Sequence, residues 1–169
     1  MCKRLLLLAA VVTALGSVQA VAVERWKSEQ DPSFGFSFAY PETLFASERG
    51  DEKPSFYYFA SDQSEAKFLV GAWDNRGGAT PQHFKRWMMT NAGGYEDVTY
   101  QPHGRTWFVL SGYRGEQVYY EKAIFSCDNH VVNVFAISYP EAQRGIFDPV
   151  VERMEDSFRP ASHCSATEG

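Results

Sequence analysis

Four histidines are the first places to look for acid–base or metal chemistry: His83, His103, His130 and His163. They fall on a predicted helix face, two predicted turns and a polar tail. Two ligands at a fixed offset on one element would mark a metal pair, and no His-Glu-x-x-His occurs. Each therefore reads as a surface residue. A hydrolase-type serine would need a Gly-x-Ser-x-Gly elbow, and the chain has none. Glu121 and Lys122 interrupt an apolar run. On adjacent strand positions they point to opposite faces and cannot share one substrate proton. They line a pocket beside Tyr119 and Tyr120, or they are solvated where a hairpin runs past the helices; the second is the simpler reading. "NRGGATP" places glycines before a helix start, where an anion can sit, but no Lys follows at phosphate-loop spacing. No catalytic, cofactor-binding or metal-binding residue is assigned, and the expectation is a protein that is not an enzyme.

Cysteine chemistry leaves two readings. Cys127-Asp128-Asn129-His130 and His163-Cys164 set a Cys/His pair at each end, which suits zinc. The alternative is a Cys127–Cys164 disulfide, and the N-terminus favours it. The chain opens "MCKRLLLLAAVVTALGSVQAVAV". Lys3 and Arg4 make a positive n-region, and Leu5 to Leu15 is an apolar stretch of eleven residues broken by Thr13. Small residues follow at cleavage spacing, so residues 1–20 read as a secretory signal cut after Ala20 or Ala22. The stretch is shorter than the ~20 apolar residues that span a bilayer, so no membrane anchor is expected once it leaves. Cys2 precedes the apolar run and leaves with the signal. Export to an oxidising periplasmic or extracellular compartment turns the remaining cysteine pair into a disulfide. That bond would close a loop of about 37 residues, worth roughly 4 kcal/mol by chain entropy.

Losing Lys3 and Arg4 takes the formal charge from -5 to -7. An acidic domain of this kind is a poor match for nucleic acid or an anionic lipid surface. Lys85-Arg86 is its main local basic feature and reads as the solvated face of a helix. The expected layout is a signal at 1–20, one domain at 23–160 and a polar tail at 161–169.

Strand patterns dominate the domain. Phe34, Phe36, Phe38 and Tyr40 alternate with small residues. "SFYYFA" and "AKFLVGAW" follow, joined by a "SDQSE" hairpin loop. The period then changes: Thr80 can cap a helix that starts at Pro81, with Phe84, Trp87 and Met88 on one face and Gly93-Gly94 as the stop. "EDVTYQ", "RTWFVLSGY", "EQVYYEKAIFSC" and "HVVNVFAISY" form a meander of antiparallel neighbours. A closing helix is expected in "FDPVVERMEDSFRP", with Asp148 as cap, Pro149 as first residue, and Val150, Val151, Met154 and Phe158 as its apolar stripe. The last strand is apolar on both faces, so the sheet must be covered on both sides. The fold class is α+β, a twisted and mostly antiparallel sheet with helices on both faces.

Tyr-Pro-Glu occurs twice, at Tyr40 and Tyr139, each time at a strand end. Proline cannot continue a ladder, so the motif reads as punctuation, with the ring buried and the hydroxyl in water. The "YPETLF" element, the long central hairpins and the closing helix that ends near Ser157-Phe158 together resemble the PsbP/Mog1-like group of α/β/α sandwich domains. That resemblance implies a non-catalytic accessory or partner-binding protein, with no cofactor and no functional residue to carry over. The expected partner is another envelope or secreted protein. Aromatics are 15% of the chain, and Trp107, Tyr113, Tyr119 and Tyr120 are the candidates for a binding surface. Two other functions remain open: a carrier or sensor of a small apolar or aromatic ligand, and a hydrolase with an unrecognised site.

Overall fold

The computed structural model describes residues 25–48, 55–91, 95 and 97–164. The expected signal segment, its cleavage sites at Ala20 and Ala22, the Gly93-Gly94 stop and residues 165–169 lie outside the described residues. Two short strands, β1 (Trp26–Gln30) and β2 (Ser37–Pro41), pair with each other. Asp31 makes the turn between them: its carboxylate accepts from the backbone N–H of Ser33 and Phe34 and from the Tyr57 hydroxyl. This local bonding is what Asp offers a turn, and it lets a carboxylate be fully buried.

The main sheet holds β3 (Ala46–Glu48), β4 (Phe56–Ala60), β5 (Lys67–Asp74), β6 (Asp97–Tyr100), β7 (Trp107–Arg114), β8 (Gln117–Ser126) and β9 (Val131–Pro140). Their spatial order is β3-β4-β5-β9-β8-β7-β6, every neighbour antiparallel. The expected meander is β6 to β9, and β5 joins at its β9 edge. Helix α1 (Pro81–Asn91) lies on one face, and α2 (Arg144–Ser157) with β1–β2 lies on the other. Alternation along β9 feeds both layers. Val131, Phe135, Ile137 and Tyr139 enter the core under α2, and Val132 enters the core under α1.

Thr80 caps α1 as expected, its hydroxyl accepting from the His83 N–H at 3.2 Å. Trp87 does not join Phe84 and Met88 inside. It is 53% exposed, stacked on Phe84 at 5.7 Å. Phe84 and Met88 are a turn apart and make the seam, which leaves Trp87 on its flank.

Helix α2 begins earlier than Asp148. A 3-10 turn at Glu141–Gln143 runs straight into it, and Pro149 sits inside the helix. Asp148 is not a cap; it accepts from the Tyr139 hydroxyl at 2.7 Å and pairs with Arg144 at 3.0 Å. Phe147, buried on Tyr139 and Phe45, draws the extra turn onto the sheet and offsets the hydrogen bond that proline removes. Tyr139 therefore keeps its hydroxyl on Asp148 rather than in water. Pro41 and Pro140 are each the last residue of their strand, so the motif does punctuate.

The C-terminal segment packs as part of the body up to Cys164. Arg159 exchanges backbone bonds with Ser37, and His163 N–H reaches the Phe34 carbonyl at 3.0 Å. Asn133, wholly buried on β9, accepts from the Ala161 N–H and donates to Ile124 O and Ser126 Oγ. Cys127 and Cys164 form a disulfide. The β8–β9 turn takes φ of 53°, 52° and 73° at Cys127, Asp128 and Asn129. Asp and Asn accept this left-handed region readily, whereas Cys127 is held there by its bond and by the His130 N–H on its carbonyl.

Candidate functional site

The four candidate aromatics are divided by the pleat. On the α2 side, Trp107 pairs with Ile124, Tyr113 with Val118 and Ser111 with Tyr120, while Tyr119 pairs with Gly112 on the α1 side. Tyr119 is buried, and Tyr113 and Tyr120 are half-buried. The Tyr113 hydroxyl accepts from Arg144 at 3.1 Å, and the Tyr120 ring leans on Phe135. Trp107, at the open end of β7, borders a groove.

That groove, about 460 Å³, lies between α1 and the loop ahead of β7. Lys85, Arg86 and Met89 come from α1, His103 and Gly104 from the loop, and Trp107 from β7. The loop folds back on the strand: Val109 N–H reaches Pro102 O, and Gly104 N–H reaches Trp107 O. A Cβ on Gly104 would stand 2.4 Å from the indole nitrogen of Trp107, so glycine is what lets the ring lie against the loop. The indole N–H has no hydrogen-bond partner among the described residues. Lys85 donates to the Gln101 carbonyl at 3.1 Å and keeps two further protons. Met89 is 41% exposed. No described lining residue is acidic. Lys85-Arg86, expected as a plain solvated face, thus lies beside an apolar wall. The spacing of Lys85 and Met89, one helical turn apart, is the sequence signal that marks that wall.

Helix α1 packs over β7 and β8. Beyond it lies a shallow basin of about 240 Å³, floored by Tyr58, Leu69 and Ala136. Lys67, Arg114, Tyr119 and Ser138 border it and continue into a second depression of about 400 Å³. Glu121 stands at the basin's β8 side and accepts a hydrogen bond from the Tyr95 hydroxyl. Arg114 lies over both the Tyr95 and Tyr119 rings, 5.6 and 5.4 Å from their centroids. On the opposite face Lys122 pairs with Glu155 of α2. Neither charge of the Glu121-Lys122 pair is a solvated overhang. The two do point apart.

Burial pushes the Glu121 carboxyl above its ordinary range, while the Tyr95 hydrogen bond and then Arg114 pull it back. A carboxyl raised in the folded state binds more protons than in the unfolded chain. Stability from this group is therefore greatest on the acid side and falls as pH rises from the ordinary glutamate value through the raised one. Glu121→Gln is expected to raise the melting temperature at pH 7.5 and to flatten the decline between pH 5 and 7.5. Thermal melts across that range check it; an unchanged slope would contradict the assignment. The carboxyl is bonded to a phenol, and no hydrogen bond links it to Ser138 among the described residues.

The four histidines are all exposed. His130 Nδ1 lies 2.7 Å from the Cys127 carbonyl oxygen, and His163 Nδ1 lies 3.1 Å from the Ser33 carbonyl oxygen. Both cysteine sulfurs of the zinc alternative are engaged with each other. No group of three or more metal-ligating side chains occurs among the described residues.

No family model matches the chain, and no curated protein matches it in sequence. Its architecture does have solved counterparts. The cyanobacterial PsbP (CyanoP) of Synechocystis sp. PCC 6803 is similar at a TM-score of 0.56 with 13% identity, over 86% of this chain and 98% of that one. The fold is PsbP/Mog1-like. The Ran-binding protein Mog1p of Saccharomyces cerevisiae is similar at a TM-score of 0.51 with 12% identity, over 81% of this chain and 96% of that one. The PsbP/Mog1-like architecture supplies the two-faced sheet; at these identities the groove and the basin are properties of this chain's own residues.

Proposed function

We propose that this is an exported accessory protein that docks an acidic segment of another envelope or secreted protein in the α1 groove. The observation that carries the reading is the groove's one-sided chemistry. Its charged side chains are all cationic and its exposed apolar wall is Met89, with Trp107 at the border where β7 begins, in a chain whose net charge is -5. Such a surface favours a segment with Asp or Glu beside an apolar or aromatic residue, because the charge steers the encounter and the buried apolar contact holds it. The likeness to Mog1p, a Ran-binding protein, supports a non-catalytic role by analogy of fold alone. Among the described residues no helix is long and apolar enough to cross a membrane.

Two measurements test this. N-terminal sequencing of the protein from the periplasm or medium is expected to begin at Val21 or Val23; an intact Met1 there would remove the export step. Trp107→Ala and Met89→Ser are each expected to weaken partner capture by at least about 1 kcal/mol, near fivefold. Single replacement of any of the four histidines other than His103 is expected to leave capture nearly unchanged. Loss of function on replacing His83, His130 or His163, with the fold intact, would point to chemistry instead of docking.

A further inference from the structure

We propose that the basin beside α1 binds a neutral sugar ring, stacked on Tyr58 and held at its hydroxyls by Lys67, Ser138 and Glu121. The site is separate from the groove and does not rest on the docking reading. A glycine lays the aromatic rings of this face down. A Cβ built on Gly71 of β5 would stand 2.5 Å from Phe56 Cδ1, and 2.8 and 2.9 Å from the two ring carbons bonded to it, Cε1 and Cγ. Those neighbours would be farther away if the point lay beyond the ring's edge, so the Phe56 ring lies face down across Gly71. Its strand neighbour Tyr58 is 21° from parallel to it at 6.4 Å, and Trp73 of β5 is 18° from parallel at 5.8 Å. Planes so nearly shared at these separations make a shelf of rings laid along the strands. Phe56 and Trp73 are half-buried in it, and Tyr58, at its basin end, is 38% exposed.

The rim offers donors and acceptors without a charge bias. Register sets Lys67 opposite Ser138, and Leu69 opposite Ala136, which pairs in turn with Glu121. Three polar side chains thus border the Leu69–Ala136 floor. Lys67 makes no ion pair among the described residues and keeps donors to spare. The Ser138 hydroxyl makes no hydrogen bond among them and can donate or accept. Glu121 gives Oε2 to Tyr95, which leaves Oε1 as an acceptor. In the adjoining depression Gln117 Oε1 is a buried acceptor with no partner among the described residues, and it calls for a donor. Across the two depressions Lys67 and Arg114 are balanced by Glu65 and Glu121. A net charge on the ligand therefore gains nothing, whereas hydroxyls that both give and accept use the whole rim. A pyranose joins such hydroxyls around its edge to an apolar C–H face that fits the face of a tyrosine ring. The basin's 240 Å³ is below the ~300 Å³ at which drug-sized sites begin, which suits one sugar ring.

Amide NMR shifts of the mature protein at pH 7 test this, with methyl β-D-glucopyranoside as probe. Saturable shifts are expected at residues 58, 67–69, 121 and 136–138, and not at 85–89 or 103–107. Cyclohexanol, a ring without the full set of hydroxyls, and sorbitol, hydroxyls without a ring, are each expected to bind at least about fivefold more weakly. Tyr58→Ala is expected to weaken the glucoside by roughly three- to tenfold, and Tyr58→Phe to hold it within about twofold, because the ring face carries the contact. Lys67→Ala, at an exposed position that leaves folding intact, is expected to cost about two- to fivefold through a lost hydrogen bond. Cellotetraose distinguishes the source of the ring. Binding several-fold tighter than the glucoside, with shifts reaching residues 56 and 73, identifies a glycan chain lying along the shelf, and equal binding identifies a free sugar. Cyclohexanol or sorbitol binding as well as the glucoside, shifts confined to the groove, indifference to both Tyr58→Ala and Lys67→Ala, or no saturation by about 50 mM would each overturn the proposal.

Discussion

Replacing Cys164 by Ser, or reducing the native protein, is expected to lower the unfolding free energy by about 4 kcal/mol. The bond joins residues 37 apart, so opening it restores a long loop's worth of freedom to the unfolded chain. It also releases the segment that closes the α2 side of the body. Arg159 on Ser37, Ala161 on Asn133 and His163 on Phe34 are backbone contacts made by that one segment. Urea titration with and without reductant measures the effect. Thiol labelling of denatured, unreduced protein is expected to find no free thiol; two labelled thiols per chain, or a change under about 1 kcal/mol on reduction, would contradict the assignment.

Met154→Ala is expected to cost about 2 to 5 kcal/mol. Met154 is 1% exposed on the inner face of α2, one turn from Val150 and Val151. It packs in the same core as Phe135, Phe158 and the β1–β2 aromatics. Truncation leaves a cavity between a helix and two sheets that cannot close independently, because the helix end is also tied down: the Ser157 hydroxyl accepts from the Ala39 N–H at 2.9 Å. Glu152→Ala on the exposed face of the same helix is the control, expected within about 0.5 kcal/mol of the parent. Equal losses from the two substitutions would place the apolar stripe outside the core.

Period and punctuation made most of the fold legible. The alternation in "HVVNVFAISY" could only suit a sheet covered on both faces, and the close succession of the runs from "EDVTYQ" to "HVVNVFAISY" made them a meander of antiparallel neighbours. What escaped was long-range. Strand β1, with its polar run "WKSEQ", exists because β2 offers it a partner, not because of its own pattern. Helix α2 starts before its proline because Phe147 finds Tyr139 and Phe45, which lie elsewhere in the chain. Asp31 and Asn133 are buried polar groups whose partners are assembled by the fold.

The candidate site was less legible for the same reason. Aromatic content pointed to β7 and β8, and Trp107 does border the groove. The partition of Tyr119 from Tyr113 and Tyr120 follows from the β7–β8 register, which composition does not carry. The groove's other wall, Lys85, Arg86 and Met89, is brought in by the α1 crossover. Gly104, next to His103 in its predicted turn, lets an indole approach the backbone.

The docking claim is tested most directly by a photo-crosslinking residue placed at Met89, with an equally exposed control at Ile146 on the opposite layer. Both parent side chains are large, apolar and open to solvent, at 41% and 55% exposure. Irradiation in envelope extract is expected to give a discrete adduct at position 89 and none at 146. That adduct should be lost with Arg86→Glu and should weaken as salt rises through about 0.15 to 1 M, where the screening length falls from ~8 to ~3 Å. Adducts of equal yield at both positions, or one at position 89 indifferent to Arg86→Glu and to salt, would contradict the groove as the docking surface.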